Sequence, residues 1–315
     1  MTTIAVVGEV VADAVLPADG IRDNQAHLTV HPGGGPANFA VALARLGTTA
    51  RFAGRLSTGS LGSLCRANLE ASGVDLSASI AAAEPATLAI AKLSDDGAAS
   101  YEFYVQGTAD WQWTAAELAP LVAGIGADAP VAIHTGTLAL ALQPSGEVIE
   151  DLLAQARSHL TVSVDPNLRT ALIPVEKYRE KIAHWAALSD IVRLSEDDLV
   201  QLWPGRSPEQ AANTLHEYGV GLAVISLGAD GAFASLRGEV VRVPVAGTAV
   251  VDTVGAGDSF HGGLLHFLAS AGQLGGRLDK LTLAGLREAL EFASRVAAIT
   301  VSRAGANPPW AHELS

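Results

Sequence analysis

Short, almost wholly apolar runs recur along the chain and alternate with longer stretches whose apolar positions follow a helical period. IAVVG (4–8), VAIHTG (131–136), LTVSVD (160–165), IVRLS (191–195) and LAVISLG (222–228) are rich in Val, Ile and Leu. Such runs predict parallel strands covered on both faces. Between them the spacing predicts helices over 37–46, 62–72, 145–158, 176–188, 196–203 and 208–218. Repeated strand-then-helix order implies right-handed crossovers and a doubly wound, mostly parallel α/β sheet with helices on both faces.

Two stretches break this pattern. Residues 10–31 and 86–106 alternate apolar and polar positions, and the second carries an Asp95-Asp96-Gly97 turn of hairpin type. We read both as strands of a small lid inserted into the α/β unit. The C-terminal third holds a turn-rich strand region (229–250) and two long helices from about 256 and 282. No repeat, low-complexity tract or linker divides residues 1–315, so a single domain is expected.

Composition narrows the function. The 315 residues are 49% hydrophobic, enough for a large core, and 33 acidic against 20 basic side chains give a net charge of −13. A surface that acidic repels nucleic acid and anionic lipid. An anionic ligand therefore needs local donors or a bridging metal. No apolar run reaches membrane-span length, and MTTIAVVGEVVADAVL reads as a first buried strand rather than a signal peptide. The single cysteine, Cys65, excludes an intramolecular disulfide and a cysteine-rich metal site. We expect it in a helix core, and expect a reducing, cytoplasmic setting.

The strongest chemical signal is AVVDTVGAGDSFHGGLLHFLASA (249–271). Gly255, Ala256 and Gly257 are small residues at the start of a predicted helix, where free N–H groups and the helix dipole favour negative charge. Asp258 falls in the first turn. It is suited to accept a proton from an alcohol held beside a phosphoryl group; a simple first-turn acid at a tight turn is the other reading of the same residues. A second glycine run, HPGGGPANFAVALARLG (31–47), puts Asn38 at a loop-to-helix junction, with donors and acceptors suited to sugar hydroxyls. It is not a dinucleotide fingerprint, because Asn38 stands where the third glycine belongs, and no G-x-x-x-x-G-K-[ST], G-x-S-x-G or H-E-x-x-H occurs.

DTVGAGDSF closely resembles the C-terminal signature of the ribokinase (PfkB) family of carbohydrate kinases. The run around Asn38 resembles that family's N-terminal signature, GG-x-x-A-N-x-A. The resemblance spans essentially the whole chain and implies a ribokinase-like three-layer fold, ATP and Mg2+ as phosphoryl donor, and a sugar as acceptor. It makes Asp258 the catalytic base and Gly255, Ala256 and Gly257 the anion hole. Asp13, Gly34, Gly35 and Asn38 become sugar contacts, and Ser226, Gly228 and Gly231 in ISLGADGA resemble the T-x-G-x-x-G nucleotide segment. Asp252 matches the site where many members bind a monovalent cation, usually potassium, with Arg303 and Gly305 closing it. Where the family commonly has N-x-x-E near the magnesium–phosphate region, this chain has Ser195-Glu196-Asp197-Asp198. Asp198 keeps a carboxylate for magnesium, while Ser195 is equally suited to cap a helix.

DPNLR (165–169) looks like the corresponding segment of fructokinases, and is similar to the D-x-N-x-R of 2-keto-3-deoxygluconate kinases. Asp165, Asn167 and Arg169 are thus expected at the sugar, with Arg169 either clamping a sugar-acid carboxylate or bracing its own loop. Together with LARLG and LSEDDL, this segment favours a fructokinase-like enzyme. Ribokinase, nucleoside kinase and sugar-acid kinase activities are the alternatives on the same scaffold, and a non-catalytic sugar-binding regulator is the alternative outside it. Phe103, Tyr104, Trp111 and Trp113 are read either as sugar contacts or as packing. The alternation at 86–106 permits lids to pair in a homodimer.

Overall fold

The computed structural model describes residues 2–93, 99–122 and 129–314; the Asp95-Asp96-Gly97 turn lies outside them. An eight-stranded sheet crosses the molecule in the order Glu239–Val243, Ala232–Leu236, Leu222–Ser226, Ile191–Ser195, Thr161–Asp165, Pro130–Gly136, Thr3–Val7, Thr49–Ala53. Every neighbouring pair from Leu222–Ser226 to Thr49–Ala53 is parallel. The last two strands at the other edge pair antiparallel. The α/β class predicted from strand-and-helix alternation is therefore the one observed.

Helices cover both faces. Gly35–Leu46, Ala256–Ser270 and Leu283–Val301 bury Phe39, Leu43, Leu264, Leu268 and Leu290 against one face. Ser145–Ala156, Val175–Leu188, Glu196–Leu202 and Pro208–Glu217 bury Leu153, Trp185, Leu199 and Leu215 against the other. Each fully buried aliphatic side chain contributes about 1.5–3 kcal/mol, and the polar exceptions on the central strands, among them His134, Ser163, Asp165 and Arg193, are themselves buried. Cys65 is buried in the Ser60–Ala71 helix, where burial pushes its thiol up to about 12. No helix among the described residues is long and apolar enough to cross a membrane.

The two alternating stretches join in one four-stranded sheet, ordered Ala99–Tyr104, Thr87–Leu93, Val11–Leu16, Thr29–Gly33. Its base is tied by Asp110, a buried acid whose carboxylate accepts from Val10 N at 2.9 Å and Thr87 Oγ1 at 2.6 Å. Trp111 and Trp113 pack inside the core beside Leu118 and Leu121, so both are packing residues. On the outermost strand Phe103 stacks on Tyr101 with ring centroids 6.1 Å apart, and Tyr104 is exposed.

Candidate active site

The parallel strands end at Val7, Gly136, Asp165, Ser195 and Ser226 along one edge of the sheet. Ligands bind outside this carboxyl edge in open α/β sheets. Two helices begin there and bring the glycine motifs together.

The Ala256–Ser270 helix starts from Gly255 in a left-handed conformation (φ 74°), with no side chain capping it. A Cβ at Gly255 would fall 2.5 Å from that of Ala306, so glycine is required on both counts. Ala256 N donates to Thr253 O and Ser259 N to Gly255 O. The N–H groups of Gly257 and Asp258 have no acceptor among the described residues. Two free donors thus stand at the positive end of a 15-residue helix, an arrangement that binds anions. Asp252 braces the turn: its oxygens accept from Val254 N at 3.0 Å and Gly305 N at 2.8 Å. Arg303 instead pairs with Glu313 at 2.5 Å.

The Gly35–Leu46 helix begins from Gly34, held at φ 101° with Glu9 O in the space a Cβ would need. Asn38 Nδ2 donates to Asp258 Oδ2 at 2.9 Å. A Cβ on Gly35 would lie 2.6 Å from Thr137 Oγ1, 3.3 Å from Asn167 Nδ2 and 3.5 Å from Asp258 Oδ1, so these groups converge on one spot. Thr137 (φ 55°) and Asn167 (φ 40°) both adopt left-handed backbone, which is costly outside glycine and concentrates at functional sites. Asp13 abuts Gly33 across the pairing of Val11–Leu16 with Thr29–Gly33.

Burial pushes Asp258 up to about 6; the Asn38 bond, Arg169 and Arg193 oppose that rise, and Asp165 adds to it. Asp13 is likewise raised to about 6 by burial, against Arg169 and His31. Arg169 folds back on its own turn, donating to Asn167 Oδ1, to Leu168 O at 3.1 Å and to Asn167 O at 3.3 Å. Its charge still acts on Glu9, Asp13 and Asp258.

Other predicted residues face elsewhere. Asp165 is buried, with Oδ2 3.0 Å from Arg193 Nη1, and Ser226 Oγ also accepts from Arg193. Gly228 and Gly231 shape the following turn with positive φ. Asp198 is buried with both oxygens engaged. Oδ2 accepts from Ser195 N (2.9 Å) and Oγ (2.5 Å), and Oδ1 from Leu168 N (2.8 Å), while Ser195 Oγ caps Asp198 N. Among the described residues there is no group of three or more His, Cys, Asp or Glu side chains able to hold a metal.

Sequence reasoning missed Glu9, Thr137, Arg193 and the exposed Val250, Val251 and Val254 beside the helix start. A charged residue inside an apolar strand was the available signal for Arg193. Thr137 had none, since its strained backbone leaves no mark on its residue type.

Residues 1–313 match the profile of the pfkB family carbohydrate kinases. The chain is 36% identical over 261 residues to a fructokinase from Rhizobium leguminosarum bv. trifolii, covering 82% of this chain and 77% of that one. A fructokinase from Xylella fastidiosa, solved with bound ATP, has the same fold: TM-score 0.85, 23% identity, 99% of this chain and 97% of that one. A fructokinase from Vibrio cholerae O395, solved with fructose, ADP and calcium ion, superimposes with TM-score 0.79 at 26% identity, over 97% of this chain and 94% of that one.

Proposed function

Since the chain belongs to the pfkB family of carbohydrate kinases, we propose that it transfers the γ-phosphoryl group of Mg-ATP to O6 of fructose with Asp258 as general base. One observation carries this reading. Asp258, held by Asn38, stands in the same first helical turn as two unbonded backbone N–H groups. A hydroxyl among Gly35, Thr137 and Asn167 would meet a base on one side and a phosphoryl cradle on the other. Asp258 takes the hydroxyl proton as the oxygen attacks phosphorus; the N–H groups stabilise charge on the transferring group.

Fructose is supported by the similarity to fructokinases and by DPNLR, in which Arg169 braces Asn167 rather than reaching outward. Magnesium enters as part of Mg-ATP. Potassium fits beside Asp252, whose oxygens each accept one N–H among the described residues and which steadies the anion-hole turn. The exposed Val250, Val251 and Val254 offer an apolar surface to the purine. Closure of the four-stranded sheet over the sugar would exclude water and prevent hydrolysis. The same sheets are the surfaces through which a homodimer would form.

The test is ADP release from Mg-ATP against fructose, ribose, tagatose, glucose, 2-keto-3-deoxygluconate, adenosine and inosine, with and without potassium. Fructose should give the highest kcat/KM. Preference for the keto acid would make Arg169 a carboxylate clamp and overturn the fructose assignment.

A further inference from the structure

Arg193 is the one charged residue of the strand Ile191–Ser195, and it is buried. Its guanidinium lies against the second residue of the Asp258 helix: a Cβ on Gly257 would sit 2.6 Å from Nη2 and 2.7 Å from Nη1. Nη1 bonds Asp165 Oδ2 at 3.0 Å, Nη2 bonds Ser226 Oγ, and Nε has no partner among the described residues. A polar chain continues behind Asp165. His261 Nδ1 is 3.8 Å from Asp165 Oδ2, Ser163 Oγ is 2.9 Å from His261 Nε2, and His134 Nδ1 is 3.1 Å from Ser163 Oγ. Burial holds both histidines below their ordinary value and therefore neutral near pH 7.

The position is electrostatically odd for a purely structural cation. A helix N-terminus repels positive charge, and a buried guanidinium is costly unless paired. Asp165 offsets part of that cost through its bond to Nη1. The unbonded N–H groups of Gly257 and Asp258 belong to the same first turn against whose second residue the guanidinium packs. A phosphoryl group held by those N–H groups would lie in the field of the guanidinium beside them. Through Ser226 the same guanidinium also holds the start of the ISLGADGA turn, so it fixes the nucleotide side and the anion hole relative to each other.

Resting on the kinase reading above, we propose that Arg193 is a positioning residue for phosphoryl transfer. It sets a fixed positive charge beside Gly257 and locks the Ser226 turn to the Asp258 helix.

The experiment compares wild type with R193K, R193M and the double variant R193M/D165N, which avoids stranding a buried carboxylate if R193M alone does not fold. Kinetics are measured on the panel sugar that the wild type accepts. R193M, or the double variant, should lose on the order of 100-fold in kcat with sugar KM changed less than about threefold, and R193K should recover most of the loss. The pH profile separates charge from scaffolding. Asp258 is faced by Asn38, Asp165, Arg169 and Arg193, so removing Arg193 should move the acid limb of kcat/KM to higher pH in R193M. In the double variant, loss of the Asp165 charge offsets that move, and the kcat loss with R193K recovery is its readout. A folded R193M with wild-type kcat and an unmoved limb overturns the inference while leaving the kinase reading intact. A wild type silent on every panel sugar overturns the kinase reading and this inference with it.

Discussion

Asn38 donates to Asp258 Oδ2 at 2.9 Å across 220 positions of chain, joining the first glycine motif to the last. The bond orients the carboxylate and favours its charged form, which is the form a base needs. Asp258→Asn keeps the shape and removes the proton acceptor. We expect kcat to fall by at least about 1,000-fold, with ATP and sugar affinity within about threefold of wild type. Steady-state kinetics and calorimetric binding check this. Near-normal turnover would sink the assignment.

Activity should depend on pH through the same group. Burial raises Asp258 to about 6, and only the deprotonated carboxylate accepts a proton, so kcat/KM should fall as pH drops through about 6. Asn38→Ala removes a hydrogen bond that lowers the value, so the acid limb should move upward. Rate profiles from pH 5 to 8 decide it; an N38A limb at or below that of wild type would contradict the role given to this bond.

Asp198 is expected to act on stability rather than on magnesium. Its oxygens already serve Ser195 and Leu168 N, linking the Glu196–Leu202 helix to the turn that carries Asn167 and Arg169. Asp198→Asn turns one acceptor into a donor facing the Ser195 N–H. The expected cost is about 1–3 kcal/mol, read by urea denaturation, with the magnesium dependence of turnover unchanged. A variant as stable as wild type that needs about tenfold more magnesium would restore the metal role.

The architecture was legible because the inner parallel strands are buried on both faces, so each holds a core of Val, Ile, Leu or Ala. The Thr49–Ala53 strand escaped because it is the sheet's edge: Arg51 interrupts the apolar run and pairs with Asp75 at 2.9 Å. In the site, Gly34, Asn38, Gly255 and Asp258 were readable from motif strings that constrain backbone as well as chemistry. Asp165 and Ser226 were readable as polar strand ends, but their bonds to Arg193 were not, since those depend on which neighbouring strand lies beside them. Thr137 was invisible for a similar reason. Its place beside Gly35 comes from two chain segments meeting across the sheet edge.

Glu9 sets a pH dependence of stability that can be isolated. It is wholly buried, Oε2 accepts from Ala139 N at 3.0 Å, and Oε1 has no partner among the described residues. Burial raises it from 4.5 to about 8, with Asp110 adding and Arg169 opposing. Because the folded value lies above the unfolded one, its contribution is fully present below about pH 4.5 and is lost as pH rises towards 8. Asp13, Asp110, Asp190 and Asp258, raised to about 6, act in the same sense but mainly at lower pH. The buried histidines His134, His261 and His266 act oppositely below about pH 6.5. Between pH 7 and 8 the slope should therefore come chiefly from Glu9. Glu9→Gln keeps an acceptor for Ala139 N and cannot ionise. Relative to wild type its stability should rise with pH, the gap between the two widening by about 1.4 kcal/mol between pH 6 and 7. Denaturation curves at pH 6, 7 and 8 test it. Parallel losses in wild type and E9Q would mean that Glu9 ionises as readily in the folded chain as in the unfolded one.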